Sequence, residues 1–255
     1  MTGGRGERPA PSLSASVDLH CHLLPGIDDG ARDLDDAIAM ARQAEADGIP
    51  AICATPHIRH DHDVRIAELP ERRAELGRAL TADGCSTRVL GGGEVAVGAL
   101  DGLCDSELVN LSLGGGGCWV LLEPDPGPLA AALDRAVDRL HRRGFRALIA
   151  HPERHLAPDL LQRLTRLAGR GALVQATAAF LLHDATSDGM LALARSGLIH
   201  VLGSDSHSAR AGRPVAIAAA LEVLGTVEPT ASNLDWIARA GPEGIARGDD
   251  LTPPF

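Results

Sequence analysis

Seven short apolar runs, at 16–20, 51–55, 88–91, 119–123, 147–151, 172–177 and 200–204, punctuate this chain, each bounded by glycine, proline or turn-forming residues. Helical stretches lie between them. Those at 34–47, 129–143, 158–170 and 190–196 carry apolar residues at i, i+3, i+4 spacing, the signature of helices with one buried face. The first opens with the acids of D-L-D-D, which suit a helix N-terminus, and stops at Gly48. Such alternation predicts a parallel α/β fold. A chain of 255 residues, 45% of them hydrophobic, can bury the core of one large domain, and no linker divides it. Segments 216–224 and 234–240 read as helical cover without chemistry.

Histidines and carboxylates cluster where the runs end: D-L-H-C-H, A-T-P-H, A-H-P-E-R and G-S-D-S-H, with Glu94 in G-G-G-E and Glu123 in V-L-L-E. Side chains alternate along a strand, so His20 and His22 point the same way, as do Asp205 and His207. Each pair can grip one ion. Imidazole and carboxylate without thiolate suit zinc, manganese or iron. A barrel would gather all the clusters at the mouth formed by the C-terminal ends of its strands, whereas a doubly wound open sheet would spread them along a crevice. Convergence favours the barrel. Glu94, Glu123, Asp205 and Asp29 would crowd one another there unless cations neutralised them. Asp28 and Asp29 in P-G-I-D-D-G are equally readable as turn residues. His60 and His62 are expected in a solvated loop, and His141, His155, His183 and His200 in structural roles.

Several function classes are excluded. The chain contains neither lysine nor tyrosine, which rules out Schiff-base chemistry, a P-loop, a carboxylated-lysine metal bridge and a tyrosyl acid or nucleophile. Five scattered cysteines without a C-x-x-C pair form neither a disulfide framework nor a zinc ribbon. A formal charge of −10 argues against nucleic acid. Residues 1–16 lack periodicity and an apolar core and are expected to be a disordered tail. No apolar run approaches the roughly 18 residues of a membrane span, so no membrane insertion and a cytoplasmic location are expected. Cys53 and Arg59 fit the C-x5-R spacing of cysteine phosphatases, but that segment lacks a glycine-rich phosphate cradle, and Cys53 is not expected to be a nucleophile.

The series D-L-H-C-H-L-L-P-G-I-D-D-G, A-T-P-H, G-E, L-L-E, A-H-P-E-R-H and S-D-S-H resembles the polymerase and histidinol phosphatase (PHP) superfamily. Within it, the chain is similar to the bacterial manganese-dependent protein-tyrosine phosphatases linked to capsule and exopolysaccharide synthesis. The resemblance covers about 17–214. It implies a distorted (β/α)7 TIM-like barrel, a single domain over 17–255, with a trinuclear site. His20, His22, Glu94 and Asp205 would hold one metal; Glu94, Glu123 and His151 a second; Asp29, His57 and His207 a third. Manganese is the expected ion, with zinc or iron as alternatives. Four carboxylates against three divalent ions leave about two positive charges to draw in a phosphate. Arg154 and Arg213 match phosphate-contacting arginines, with Arg210 as a rival to Arg213. The implied reaction is hydrolysis of phosphotyrosine on a protein by a metal-bound hydroxide, the substrate being the tail of a tyrosine kinase that controls polysaccharide export. Alternatives are a small-molecule phosphomonoesterase such as histidinol-phosphate phosphatase, and a non-catalytic metal-binding regulator. A PHP-type exonuclease fits poorly with an acidic chain that is only 2% aromatic.

Overall fold

The computed structural model describes residues 13–155 and 157–255. Nine strands occur among them: β1 (Asp18–Cys21), β2 (Ala51–Ala54), β3 (His57–Ile58), β4 (Arg88–Leu90), β5 (Glu94–Ala96), β6 (Trp119–Glu123), β7 (Arg146–Ile149), β8 (Leu173–Thr177) and β9 (Val201–Gly203). They pair in parallel in the orders β1-β2-β4 and β3-β5-β6-β7-β8-β9. Beyond β9 the chain bonds back to β1, with Asp205 N donating to His20 O at 2.8 Å and His22 N to Ser206 O at 2.9 Å. The parallel sheet is therefore curled upon itself.

Seven runs yield nine strands because two runs break and resume. Pro56 interrupts the second, since it has no N–H to donate. Its carbonyl accepts from Glu94 N at 3.0 Å, and pairing continues as β3 against β5. Three glycines interrupt the third. A Cβ on Gly92 would lie 2.9 Å from Thr55 Cγ2, and one on Gly93 2.5 Å from Leu111 Cδ2. Only a bare backbone fits this crossing.

The helices are α1 (Leu34–Ala46), α2 (Leu69–Ala82), α3 (Asp105–Leu111), α4 (Ala131–Arg142), α5 (Leu160–Ala168), α6 (Ala178–Leu181), α7 (Asp184–Arg195), α8 (Ala218–Leu224) and α9 (Gly241–Arg247). Asp33 caps α1 by accepting from Asp36 N at 2.8 Å. The periodic stretch at 190–196 is the second half of α7, whose first turn His183 caps through Nδ1 to Ala185 N. Asp36 of α1 accepts from Ser208 Oγ and Ala209 N, and Asp47, the residue that caps its C-terminus, from Ile217 N and Ala218 N. That helix thus anchors the loop that follows β9.

Alternation along the strands sorts the core into two layers. Trp119, Leu121, Leu148, Leu173 and Val201 pack inside the curl, while Leu122, Ile149 and Val174 pack outward against helices. Glu123, two residues past Leu121, continues the inward series. Ile245 of α9 joins the inner layer, and Trp119 Nε1 donates to Asp249 O at 2.9 Å. The α9 segment, just past the 234–240 stretch expected as cover, therefore closes the floor of the curl. Of the expected disordered tail, residues 1–12 lie outside the described residues. The remainder is packed, with Ala15 buried and Ser16 N bonded to Ala238 O. Among the described residues, no helix is long and apolar enough to cross a membrane.

Candidate metal centre

Glu94, the first residue of β5 and fully buried, is the hub. Its Oε2 lies 3.2 Å from His20 Nε2, 3.2 Å from His22 Nε2 and 3.0 Å from His57 Nδ1, and its Oε1 lies 2.8 Å from His151 Nε2. Burial alone would raise its pKa, but His20, His151 and His22 hold it well below the usual carboxylate range. Around the hub, Asp205 Oδ1 is 3.5 Å from His20 Nε2 and 3.7 Å from His207 Nδ1. Asp29 Oδ1 is 3.5 Å from both His57 Nε2 and His207 Nε2. Glu123 Oε2 is 3.7 Å from His57 Nδ1. All nine sequence-predicted ligands thus come together.

The donor set fits divalent cations. Glu94 Oε2 and His57 Nδ1 are buried without a hydrogen-bond partner, although they lie 3.0 Å apart. Convergent lone pairs of this kind are costly in a low-dielectric interior unless a cation occupies the space between them. Ligand atoms gather in three groups, each within 4.8 Å: His22, Asp29, His57 and His207; His20, His22 and Glu94; His57, Glu94 and Glu123. Burial, then the charge of Glu94, raises the pKa of Glu123. That repulsion is what bound ions would relieve.

Other residues aim the ligands. His20 Nδ1 meets Gln175 Oε1 at 2.9 Å, and His22 Nδ1 meets Asp28 Oδ2 at 2.9 Å, which turns both Nε2 atoms toward Glu94. Asp28 also accepts from His57 N at 2.9 Å and Gly30 N at 3.0 Å. Burial would raise its pKa, yet these bonds and the charge of His22 bring it to about 2. A Cβ on Gly30 would sit 2.3 Å from His22 O, so the D-D-G turn can fold over the end of β1 only with glycine there. His151 (φ 30°) and Asp205 (φ 49°) are the non-glycine residues with positive φ among those described, and both are ligand candidates. Backbone strain is concentrated where the site needs it.

Arg154 and Arg213 reach the same carboxylate. Arg154 Nη2 donates to Asp205 Oδ2, and Arg213 Nη2 lies 3.0 Å from that oxygen. Arg210 faces away, paired with Asp33 at 3.1 Å on the surface. His62, expected to be solvated, is half-buried instead, its ring stacked on His57 at 5.1 Å. Cys53 is buried, and burial pushes its thiol up to about 12, far from a reactive thiolate.

A family model described as capsular polysaccharide synthesis, CpsB/CapC, matches residues 16–228. The chain belongs to the CpsB/CapC family. It is 30% identical over 203 residues, 76% of this chain and 78% of the relative, to the tyrosine-protein phosphatase YwqE of Bacillus subtilis. Among solved structures it resembles those of YwqE and of Streptococcus pneumoniae CpsB, described as unique metal-dependent tyrosine phosphatases. That match has TM-score 0.75 and 27% identity and covers 92% of this chain and 96% of the other. A β-aspartyl dipeptidase from Fervidobacterium islandicum AW-1 shares the fold alone, with TM-score 0.55, 13% identity and coverage of 94% of this chain and 76% of its own.

In this CpsB/CapC member, sequence reasoning passed over the residues that support the ligands. Asp28 was readable as a turn residue beside Asp29. Gln175 had a signal, being a lone amide at an inward position of the apolar run L-V-Q-A-T. Glu153 accepts from Thr177 N at 2.8 Å and ties the A-H-P-E-R loop to the end of β8. Arg59 donates to Glu123 Oε1 at 3.2 Å.

Proposed function

We propose that this CpsB/CapC member hydrolyses phosphotyrosine on a protein with the help of divalent ions. The observation that carries the reading is one buried carboxylate, Glu94, within 3.2 Å of four imidazole nitrogens and adjoining a pair of arginines that converge on Asp205. The curled sheet is read as a distorted (β/α)7 barrel, with β2 and β3 forming one stave and β4 and β5 another. Three ions, manganese by resemblance, would be held by His20, His22, Glu94 and Asp205; by Glu94, Glu123 and His151; and by Asp29, His57 and His207. Three overlapping groups of convergent donor atoms, sharing His22, His57 and Glu94, support a site for more than one ion.

Bound ions would supply Lewis acidity and make water acidic enough to serve as a nucleophile near neutral pH. The chain does the rest. Asp28 and Gln175 fix the imidazoles of His22 and His20, and Arg59 fixes Glu123. Arg154 and Arg213 bind the phosphoryl oxygens with in-plane N–H donors and stabilise charge as it builds on them. Until a phosphate arrives, Asp205 holds both guanidiniums. The relatives' names support phosphotyrosine as the substrate, and the family's link to capsular polysaccharide synthesis makes the tail of a tyrosine kinase, met in the cytoplasm, its proposed bearer.

The test is release of phosphate from a phosphotyrosine peptide and from histidinol phosphate, by metal-stripped protein before and after adding manganese. Peptide turnover that needs manganese and vanishes in His151→Ala is expected. Preference for histidinol phosphate would transfer the protein to a metabolic role, and full activity of His151→Ala would sink the metal assignment.

A further inference from the structure

Arg154 follows β7 and Arg213 follows β9, so neither loop alone can set the distance between the two guanidiniums. Both are partly buried, with side chains 33% and 26% exposed, and their like charges repel. Between these loops runs α6, which starts directly after β8. Its Phe180 ring centroid lies 5.9 Å from Arg154 Cζ and 5.9 Å from Arg213 Cζ. The ring is half-buried against the core, and its backbone is held on both sides. Ala178 and Leu181 on either side are buried, and Thr186 Oγ1 donates to Phe180 O at 2.7 Å.

An aromatic face attracts a guanidinium within about 6 Å of its centroid through the ring quadrupole. A guanidinium can be held this way while its in-plane N–H donors remain available. A carboxylate partner cannot offer that, because it occupies the donors a phosphate needs. Asp205 and Phe180 are therefore different kinds of partner: one competes with the anion and the other does not.

We propose that Phe180 is a positioning residue that holds Arg154 and Arg213 as a matched pair, leaving their N–H donors free for a phosphoryl group. The identity of that group rests on the phosphatase reading above; the pairing of the arginines does not. Phe180 acts through the guanidiniums rather than on the reacting group itself.

The experiment compares the parent with Phe180→Leu, which keeps apolar bulk without a π face, with Phe180→Met as a second aliphatic variant, and with Phe180→Tyr, which restores the face. Metal-loaded protein is titrated calorimetrically with inorganic phosphate, and kcat and KM are measured on one aryl and one alkyl phosphate monoester. Two lost cation–π contacts correspond to about a tenfold change. Phe180→Leu and Phe180→Met are expected to weaken inorganic phosphate about tenfold and to lower kcat/KM equally on both esters, with Phe180→Tyr within about twofold of the parent. In an Arg154→Ala, Arg213→Ala background, Phe180→Leu should change phosphate binding no further. Unchanged phosphate affinity, a loss confined to the aryl ester, a Tyr variant as weak as Leu, or an equal loss without the arginines would each overturn the proposal. A parent that binds phosphate yet hydrolyses neither ester would retire the phosphatase reading, and the phosphate titration would then decide the role of Phe180 by itself.

Discussion

Metal loading at neutral pH should release a proton from His22. The ring sits between Asp28, 2.9 Å from its Nδ1, and Glu94, 3.2 Å from its Nε2. Burial opposes a charge there, but the two carboxylates outweigh it and lift the pKa to about 9. At pH 7 the ring is therefore mostly protonated in the metal-free protein. A coordinating imidazole must be neutral, so an ion can bind Nε2 only by displacing that proton. Its apparent affinity should rise about tenfold per pH unit between pH 6.5 and 8.5 and level off near 9. His207, pushed down to about 3 by burial and then by the charge of His22, is already neutral in this range. Manganese titrations in buffers of different ionisation enthalpy read the proton count directly. A release of at least one proton at pH 7 is expected, falling by about one in Asp28→Asn. No release at pH 7 would refute the reasoning. The same shift sets stability. A base whose pKa is raised on folding contributes fully below its unfolded value of 6.5 and loses that contribution as pH climbs through 9. Metal-free protein should therefore lose about 3 kcal/mol over that window, read as a falling urea midpoint, while metal-loaded protein should not.

Arg213→Ala should lower kcat/KM by about 10² to 10³, as loss of a transition-state donor does, while Arg210→Ala stays within about twofold; the reverse order would reassign the phosphate contact. Gly30→Ala forces a Cβ to 2.3 Å from His22 O and must move the turn that carries Asp28 and Asp29. It should weaken manganese binding by about 10- to 100-fold with the circular dichroism spectrum unchanged, and normal loading would show the turn to be dispensable. Cys53→Ala should keep full activity while costing about 1 kcal/mol in urea unfolding, as expected of a buried thiol. Loss of turnover at normal metal content would return Cys53 to candidacy as nucleophile.

The seven apolar runs were legible because buried parallel strands leave continuous hydrophobic stretches, and α1 because its acidic cap and terminal glycine bracket an apolar period. The resumption of pairing at β3 and β5 was not. His57–Ile58 and Glu94–Ala96 are too short to carry a period of their own, and what makes them strands is the partner across the break. Eight of the nine candidate ligands stood out at or just past strand ends because histidine and carboxylate are foreign to an apolar run, whereas Asp29, in a turn, rested on the resemblance. Their supports were hidden for the opposite reason. Asp28 sits in a turn where aspartate is commonplace, and only its distances to His22 and His57 distinguish it from Asp29. Phe180 looks like any core aromatic until the loops after β7 and β9 bring two arginines to its ring.

A regular strand could not have built this centre. Residues that face the same way along one strand are about 6.6 Å apart at the backbone, so one strand end can bring two imidazoles, His20 and His22, to one carboxylate oxygen but not the whole set. The ligands instead come from places where regularity fails. His57 follows Pro56, Glu94 follows three glycines, His151 and Asp205 take positive φ, and His22 lies one residue past β1. Each strained backbone position costs on the order of 1–3 kcal/mol, and the crowding of Glu94 with Glu123 adds to it. The inner layer of Trp119, Leu121 and Leu148 is apolar and supplies no charge to neutralise the crowded carboxylates. Bound ions would supply it. The cations therefore belong to the final shape of the mouth as much as to its chemistry, and stripping them should loosen the 22–31, 151–155 and 204–213 segments while leaving the floor sealed by α9 unchanged.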